Sequence, residues 1–199
     1  MIEGSPRTPA EGTPAEGTPA EGAPAEGAPA AGAPAEGAPA EGHSNEGGWF
    51  SFAMGDFQAD FPRERYYATN HMWAQAVGTG RWRLGLTAYA VRLLQDVYFL
   101  DWIVEPPAAV ALRAQIGSIE SKTAESDLFS PMAGRLAEIN HVVLDDPSLI
   151  NADPYGEGWL IEIAAEDDAP LLTPDRYAEH LVDAWEVAQR TIKGQANTD

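Results

Sequence analysis

Only two lysines occur in the 199-residue chain, Lys122 and Lys193, and the other ten cations are all arginine. Lys122 lies in "GSIESKTAESDLFSP", residues 117–131, where two short strand-like runs flank a turn. A lysine amine on its flexible stem can attack an activated carboxyl and become an amide, which arginine does not do in ordinary protein chemistry. Two readings of Lys122 stand at this level: an ordinary solvated turn residue, or an attachment point for an acyl group. Other chemistries find little support. The chain has no cysteine, so disulfides, thiol catalysis and Cys-ligated metal are excluded. His43, His71, His141 and His180 share no metal-ligand spacing, and His71 reads as a structural histidine. No nucleophile–base pair or phosphate-cradling glycine loop is visible, so no residue is assigned a catalytic role.

The elements that must position Lys122 are short and mostly strand-like. "GWFSFAM" and "RYYATNHMWAQAV" read as aromatic-rich strands, and "AQAVGTGRWRLGLT" as a hairpin turning at Gly78-Thr79-Gly80. Thr87 is placed to cap a short apolar helix in "TAYAVRLLQD". "DVYFLDWIV" is β-branched and aromatic, a strand stopped by Pro106-Pro107. "VALRAQIGSIE" and "SDLFSPMAGRLAEINHVV" then read as strands on either side of Lys122, with a turn at Gly134. "NADPYGEGWLIEI" is turn chemistry leading into a last strand, and its "DPYGEGWL" serves packing. In the tail, Thr173 suits N-cap and Pro174 the first helical position. Tyr177, Leu181, Trp185 and Ala188 follow at helical spacing, predicting an amphipathic C-terminal helix. Short strands, frequent turns and a closing helix suggest a small β-barrel or sandwich.

Residues 1–47 differ. They contain no Phe, Trp or Tyr, and Thr8–Gly42 repeats "TPAEG" or close variants. Such a composition cannot bury enough apolar surface to offset backbone ordering, so the tract reads as a disordered tail. Residues 48–199 hold every Trp, Tyr and Phe and form one domain. The formal net charge is −19. No Lys/Arg cluster is dense enough to neutralise phosphates, so nucleic acid and anionic membranes are poor partners. With no signal-like start and no spanning apolar run, a soluble cytoplasmic protein is the expectation.

"GSIESKTAESDLFSPMAGRLAEIN" followed by "DDPSLINADPYGEGWLIEI" resembles the glycine cleavage system H protein family. That family reads Glu-Ser-Val-Lys-Ala, then an acid, then Ser-Pro, and later Pro-Tyr and Gly-Trp-Leu. Upstream, "NHMWAQAV" and "LGLTAYAVRLLQDVYF" resemble its His-Glu-Trp, Gly-Ile-Thr and Leu-Leu landmarks. The resemblance spans about residues 66–185. It implies a mainly β barrel-sandwich hybrid with a short internal helix and a C-terminal helix. It also implies a non-catalytic carrier whose lipoylated lysine sits in a hairpin turn. The arm would shuttle aminomethyl groups among glycine decarboxylase, aminomethyltransferase and dihydrolipoyl dehydrogenase, after loading by a lipoylating enzyme.

Two departures accompany the resemblance. Glu120, Ser121, Ala124 and Asp127 align with the family motif without a gap, so the family's lysine position falls on Thr123. Lys122 stands one residue earlier, and is the candidate for lipoate attachment. A one-residue shift in a strand or tight turn redirects a side chain. The family's His-Glu-Trp is His71-Met72-Trp73 here, and its Glu helps line the cleft where a loaded arm rests. His71 and Met72 are therefore the candidate arm-cleft residues, with Met72 offering a polarizable apolar surface in place of a carboxylate. The alternative is a non-lipoylated H-like module that binds or regulates a partner.

Overall fold

Alternating aromatic residues fold the start of the described chain into a hairpin, β1 (Trp49–Met54) and β2 (Phe57–Pro62). The computed structural model describes residues 48–165, 167–168 and 170–196. The repeat tail expected over residues 1–47 lies outside the described residues. The β1–β2 turn uses Gly55 at φ +66°, which a side chain would disfavour. Phe50 and Phe61 stack across the hairpin with ring centroids 4.9 Å apart.

The remaining strands make two sheets. In chain order they are β3 (Tyr66–Tyr67), β4 (Met72–Gly78), β5 (Arg81–Leu86), β6 (Val97–Trp102) and β7 (Ala108–Val110). Then come β8 (Gln115–Ser121), β9 (Glu125–Phe129), β10 (Gly134–Ile139) and β11 (Ile161–Ala164). One sheet has the order β3-β4-β5-β11-β10-β7, the other β6-β8-β9, and all their pairings are antiparallel. Leu84, Leu136 and Ile161 of the first sheet share one buried core with Leu100, Ile116 and Ile119 of the second. This is the barrel-sandwich arrangement the sequence suggests.

Among the described residues, four helices complete the fold. Thr87 caps α1 (Ala88–Leu94), its hydroxyl accepting from the Ala90 N–H at 3.4 Å. Short α2 (His141–Asp145) and α3 (Ser148–Ala152) precede β11. The closing helix α4 (Pro174–Ala196) starts where Thr173 accepts from the Arg176 N–H at 3.4 Å. Its Tyr177 and Leu181 are fully buried against β1, β2 and β3 residues, and Tyr177 stacks on Tyr67 at 4.4 Å.

Four expectations need correction. "RYYATNHMWAQAV" is two strands, because His71 adopts φ +65° and turns the chain between β3 and β4. "VALRAQIGSIE" is not one strand: Val110 ends β7 and β8 begins at Gln115, with Arg113 at φ +65° breaking extension between them. "INHVV" ends in helix: the Asn140 side chain accepts from the Val142 N–H at 3.2 Å and caps α2. The turn expected at Gly134 falls just before it, and Gly134 opens β10.

Candidate functional site

Lys122 and Thr123 form the two-residue tip of the β8–β9 hairpin. Glu120 faces Glu125 across the ladder, and the Ser121 N–H donates to the Ala124 carbonyl at 2.9 Å. The Ser121 hydroxyl closes the turn from the side, donating to the Ala124 carbonyl (3.0 Å) and accepting from its N–H (3.3 Å). Ser121 and Ala124 thus fix the turn, which explains why small or hydroxylated residues bracket the tip. Below them β8 is gripped by β6, with Val97 opposite Ser121 and Phe99 opposite Glu120. Asp127 sits on β9 opposite Ser118 and accepts from the Gln115 side chain at 2.8 Å.

The two tip residues have different surroundings. The Thr123 hydroxyl lies 2.6 Å from the Leu94 carbonyl and 3.1 Å from that of Leu93. Those carbonyls belong to the last turn of α1, which has no intrahelical donor for them. Thr123 therefore ties the tip to the end of a helix. The Lys122 side chain is 70% exposed, and its ammonium stands 3.7 Å from the equally exposed Asp96 carboxylate. A pair of this kind contributes about 0–1 kcal/mol and leaves the amine accessible.

Asp96 is held where it meets Lys122 by the α1–β6 connection. Gln95 and Asp96 both take positive φ, at 54° and 30°, so the chain reverses within two residues. Asn151 of α3 then grips Val97, accepting from its N–H at 3.1 Å and donating to its carbonyl at 3.0 Å. Beside this connection runs an open groove of about 380 Å³. One wall is α1 (Ala88, Val91, Arg92), the others Phe57 of β2 and Pro154 after α3, and Asp96 stands at its Lys122 end. Sequence reasoning missed Asp96 and this groove. The available signal was the spacing of Ala88, Val91, Arg92 and Gln95, one helical stripe of mixed character.

His71 and Met72 lie elsewhere. Met72 is 1% exposed and packs in the core between the sheets. His71 is wedged beside α4: its Nδ1 is 2.9 Å from the Tyr177 hydroxyl, and its ring lies 4.4 Å from Tyr89 and 5.3 Å from His180. Burial, with a smaller contribution from His180, pushes the His71 imidazole down to about 4, so it is neutral at pH 7. The Tyr177 hydroxyl also meets the Thr87 hydroxyl at 3.2 Å, joining His71 to the α1 cap. The hairpin tip brings together Glu120, Ser121, Lys122, Thr123 and Ala124, with Asp127 further down β9. His71 and Met72 lie at the start of β4 and do not line the groove.

Among the described residues no helix is long and apolar enough to cross a membrane, and no three His, Asp or Glu residues are grouped so as to hold a metal ion. Comparison with known proteins gives one consistent result. The family model described as "Glycine cleavage H-protein" matches residues 65–184. The glycine cleavage system H protein of Rubrobacter xylanophilus is 37% identical over 123 residues, covering 62% of this chain and 96% of the relative. That of Bifidobacterium longum is 40% identical over 121 residues, covering 60% and 87%. The crystal structure of a glycine cleavage system H protein from Mycobacterium marinum aligns with TM-score 0.55 at 35% identity, over 60% of this chain and 97% of that one. The β1–β2 hairpin and the last turns of α4 fall outside the matched residues. With 120 of its residues under the family model and a relative 37% identical over nearly its whole length, the chain belongs to the glycine cleavage H-protein family, whose members are lipoyl carriers and not themselves catalysts.

Proposed function

We propose that the chain is a working carrier that bears lipoate on Lys122. The observation that carries this reading is the placement of Lys122: a primary amine 70% exposed, at the tip of a two-residue hairpin loop, in a loose pair with Asp96. A carrier needs an accessible amine on a stiff support, and the β6–β8–β9 sheet supplies the stiffness. Attachment requires the ammonium to lose a proton, after which Nζ attacks the activated carboxyl carbon and the activating group departs with the carboxyl oxygen. The bound arm supplies a dithiolane that accepts an aminomethyl group, while Ser121, Ala124 and Thr123 keep its root oriented. The partners are glycine decarboxylase, aminomethyltransferase, dihydrolipoyl dehydrogenase and a lipoylating enzyme, working in the cytoplasm.

A second reading rests on Thr123. It stands where the family motif has lysine, and its hydroxyl is engaged by the α1 carbonyls rather than presented. That favours a non-lipoylated module that binds or regulates a partner. Incubating the folded chain with a lipoylating enzyme and measuring intact mass separates the two. A lipoyl increment lost in Lys122→Arg supports the carrier. No increment in the natural sequence, with a gain in Thr123→Lys, supports the module.

A further inference from the structure

We propose that Asp96 is a positioning residue for the acylation of Lys122: it turns the displaced amine toward the corner at which Thr123, the family's lysine position, is aimed. This rests on Lys122 bearing the arm. A one-residue shift at a tight turn redirects a side chain, so the two tip residues should diverge. They do not. The Thr123 hydroxyl meets the Leu93 and Leu94 carbonyls at 3.1 and 2.6 Å, and the Lys122 ammonium meets the Asp96 carboxylate at 3.7 Å. Both side chains thus end on residues 93–96, the corner that closes α1 and leads into β6. Glu120 and Glu125 stand closer to Lys122 in sequence, opposite one another in the ladder, yet the ammonium pairs with a carboxylate on another element.

The corner that carries Asp96 is strained. Gln95 takes φ 54° with ψ 142°, and Asp96 takes φ 30°, positive values that side chains rarely adopt. Strain of this kind persists where the surroundings over-determine it, and it collects at functional sites. Two clamps hold it here. Asn151 grips the N–H and the carbonyl of Val97 on one side, and Thr123 grips the α1 carbonyls on the other. What the strained corner delivers is a carboxylate, 76% exposed, beside the amine. An exposed pair does not lock a lysine stem, but it raises the fraction of chains that hold the amine at the corner. A partner that engages only that fraction has its apparent affinity scaled by it. Once Nζ becomes an amide the ion pair is gone, so Asp96 directs the loading step and does not hold the product.

The test has two arms on the full chain. A water-soluble carbodiimide condenses an amine with a carboxylate in contact with it, forming an amide and taking up the lost water as a urea. Peptide mapping should find Lys122 joined to Asp96, and no such link in Lys122→Arg. A link to Glu120 or Glu125 instead, or none, would overturn the placement. The second arm measures lipoylation rate against chain concentration with a lipoylating enzyme. Asp96→Asn removes the charge and keeps a residue that tolerates positive φ. It should raise KM about two- to fivefold, the upper end equivalent to ~1 kcal/mol, and leave kcat unchanged. In a chain with the lysine moved back, Lys122→Thr with Thr123→Lys, the same Asp96→Asn change should have no effect. An equal loss in both chains, or none in either, would overturn the positioning role and leave the carrier reading standing. A link at Asp96 with no lipoyl group taken up on Lys122 would overturn the carrier reading, and this role with it.

Discussion

Replacing His71 by asparagine should remove most of an acid-sensitive step in stability. His71 sits at φ +65°, a conformation asparagine tolerates better than most residues, so the turn between β3 and β4 survives the change. In the folded chain burial holds the imidazole at about 4, against an ordinary value of 6.5. The folded value is depressed, so the unfolded chain binds the proton first. The stabilisation from a neutral His71 is therefore complete above about pH 6.5 and is lost as pH falls toward 4. A shift of about 2.5 units corresponds to roughly 3 kcal/mol in full, of which about 2 kcal/mol is lost by pH 5. Urea unfolding of both chains between pH 7.5 and 4.5 measures this, since the carboxylates titrate in both and cancel in the difference. The natural chain should lose about 2 kcal/mol more than His71→Asn by pH 5. Parallel pH profiles would refute the neutral, buried imidazole and its bond to Tyr177.

Three further substitutions probe the packing. Gly85→Ala would place a methyl 2.7 Å from the Trp73 ring, and should cost about 1–3 kcal/mol with a shift in tryptophan fluorescence. Phe61→Ala removes a fully buried ring from between Phe50, Tyr67 and Tyr177, and should cost about 3–5 kcal/mol in thermal or urea unfolding; a negligible loss would mean the added hairpin is not integral. Thr123→Val keeps the shape and deletes the hydroxyl bond to α1. Because water can reach those carbonyls, the cost should be at most about 1 kcal/mol, with faster amide exchange at the tip.

Much of the frame was legible because local chemistry decided it. Thr87 and Thr173 cap their helices, Pro174 opens α4, and Gly80 at φ +62° turns β4 into β5, as their types suggest. Met72 is harder to read. Alternation along "MWAQ" would bury one face, but Met72, Trp73 and Ala74 are all buried. Met72 and Ala74 enter the core between the sheets, while Trp73 enters a second core formed with β1, β2 and α4. Nothing near Trp73 in sequence announces that second cover. The same reason hid the groove, whose walls come from residues 57, 88, 91, 92, 95, 96, 151 and 154 and meet only when folded. The direction of Thr123 was also beyond the motif, because the carbonyls it meets lie about 30 residues upstream on another element.

The most direct measurement is the intact mass of the full chain purified from its native source, followed by peptide mapping across residues 117–131. The expected result is a lipoyl or octanoyl increment localised to Lys122 and absent from Lys122→Arg expressed in the same cells. An unmodified Lys122, in cells whose other lipoyl carriers are loaded, would contradict it.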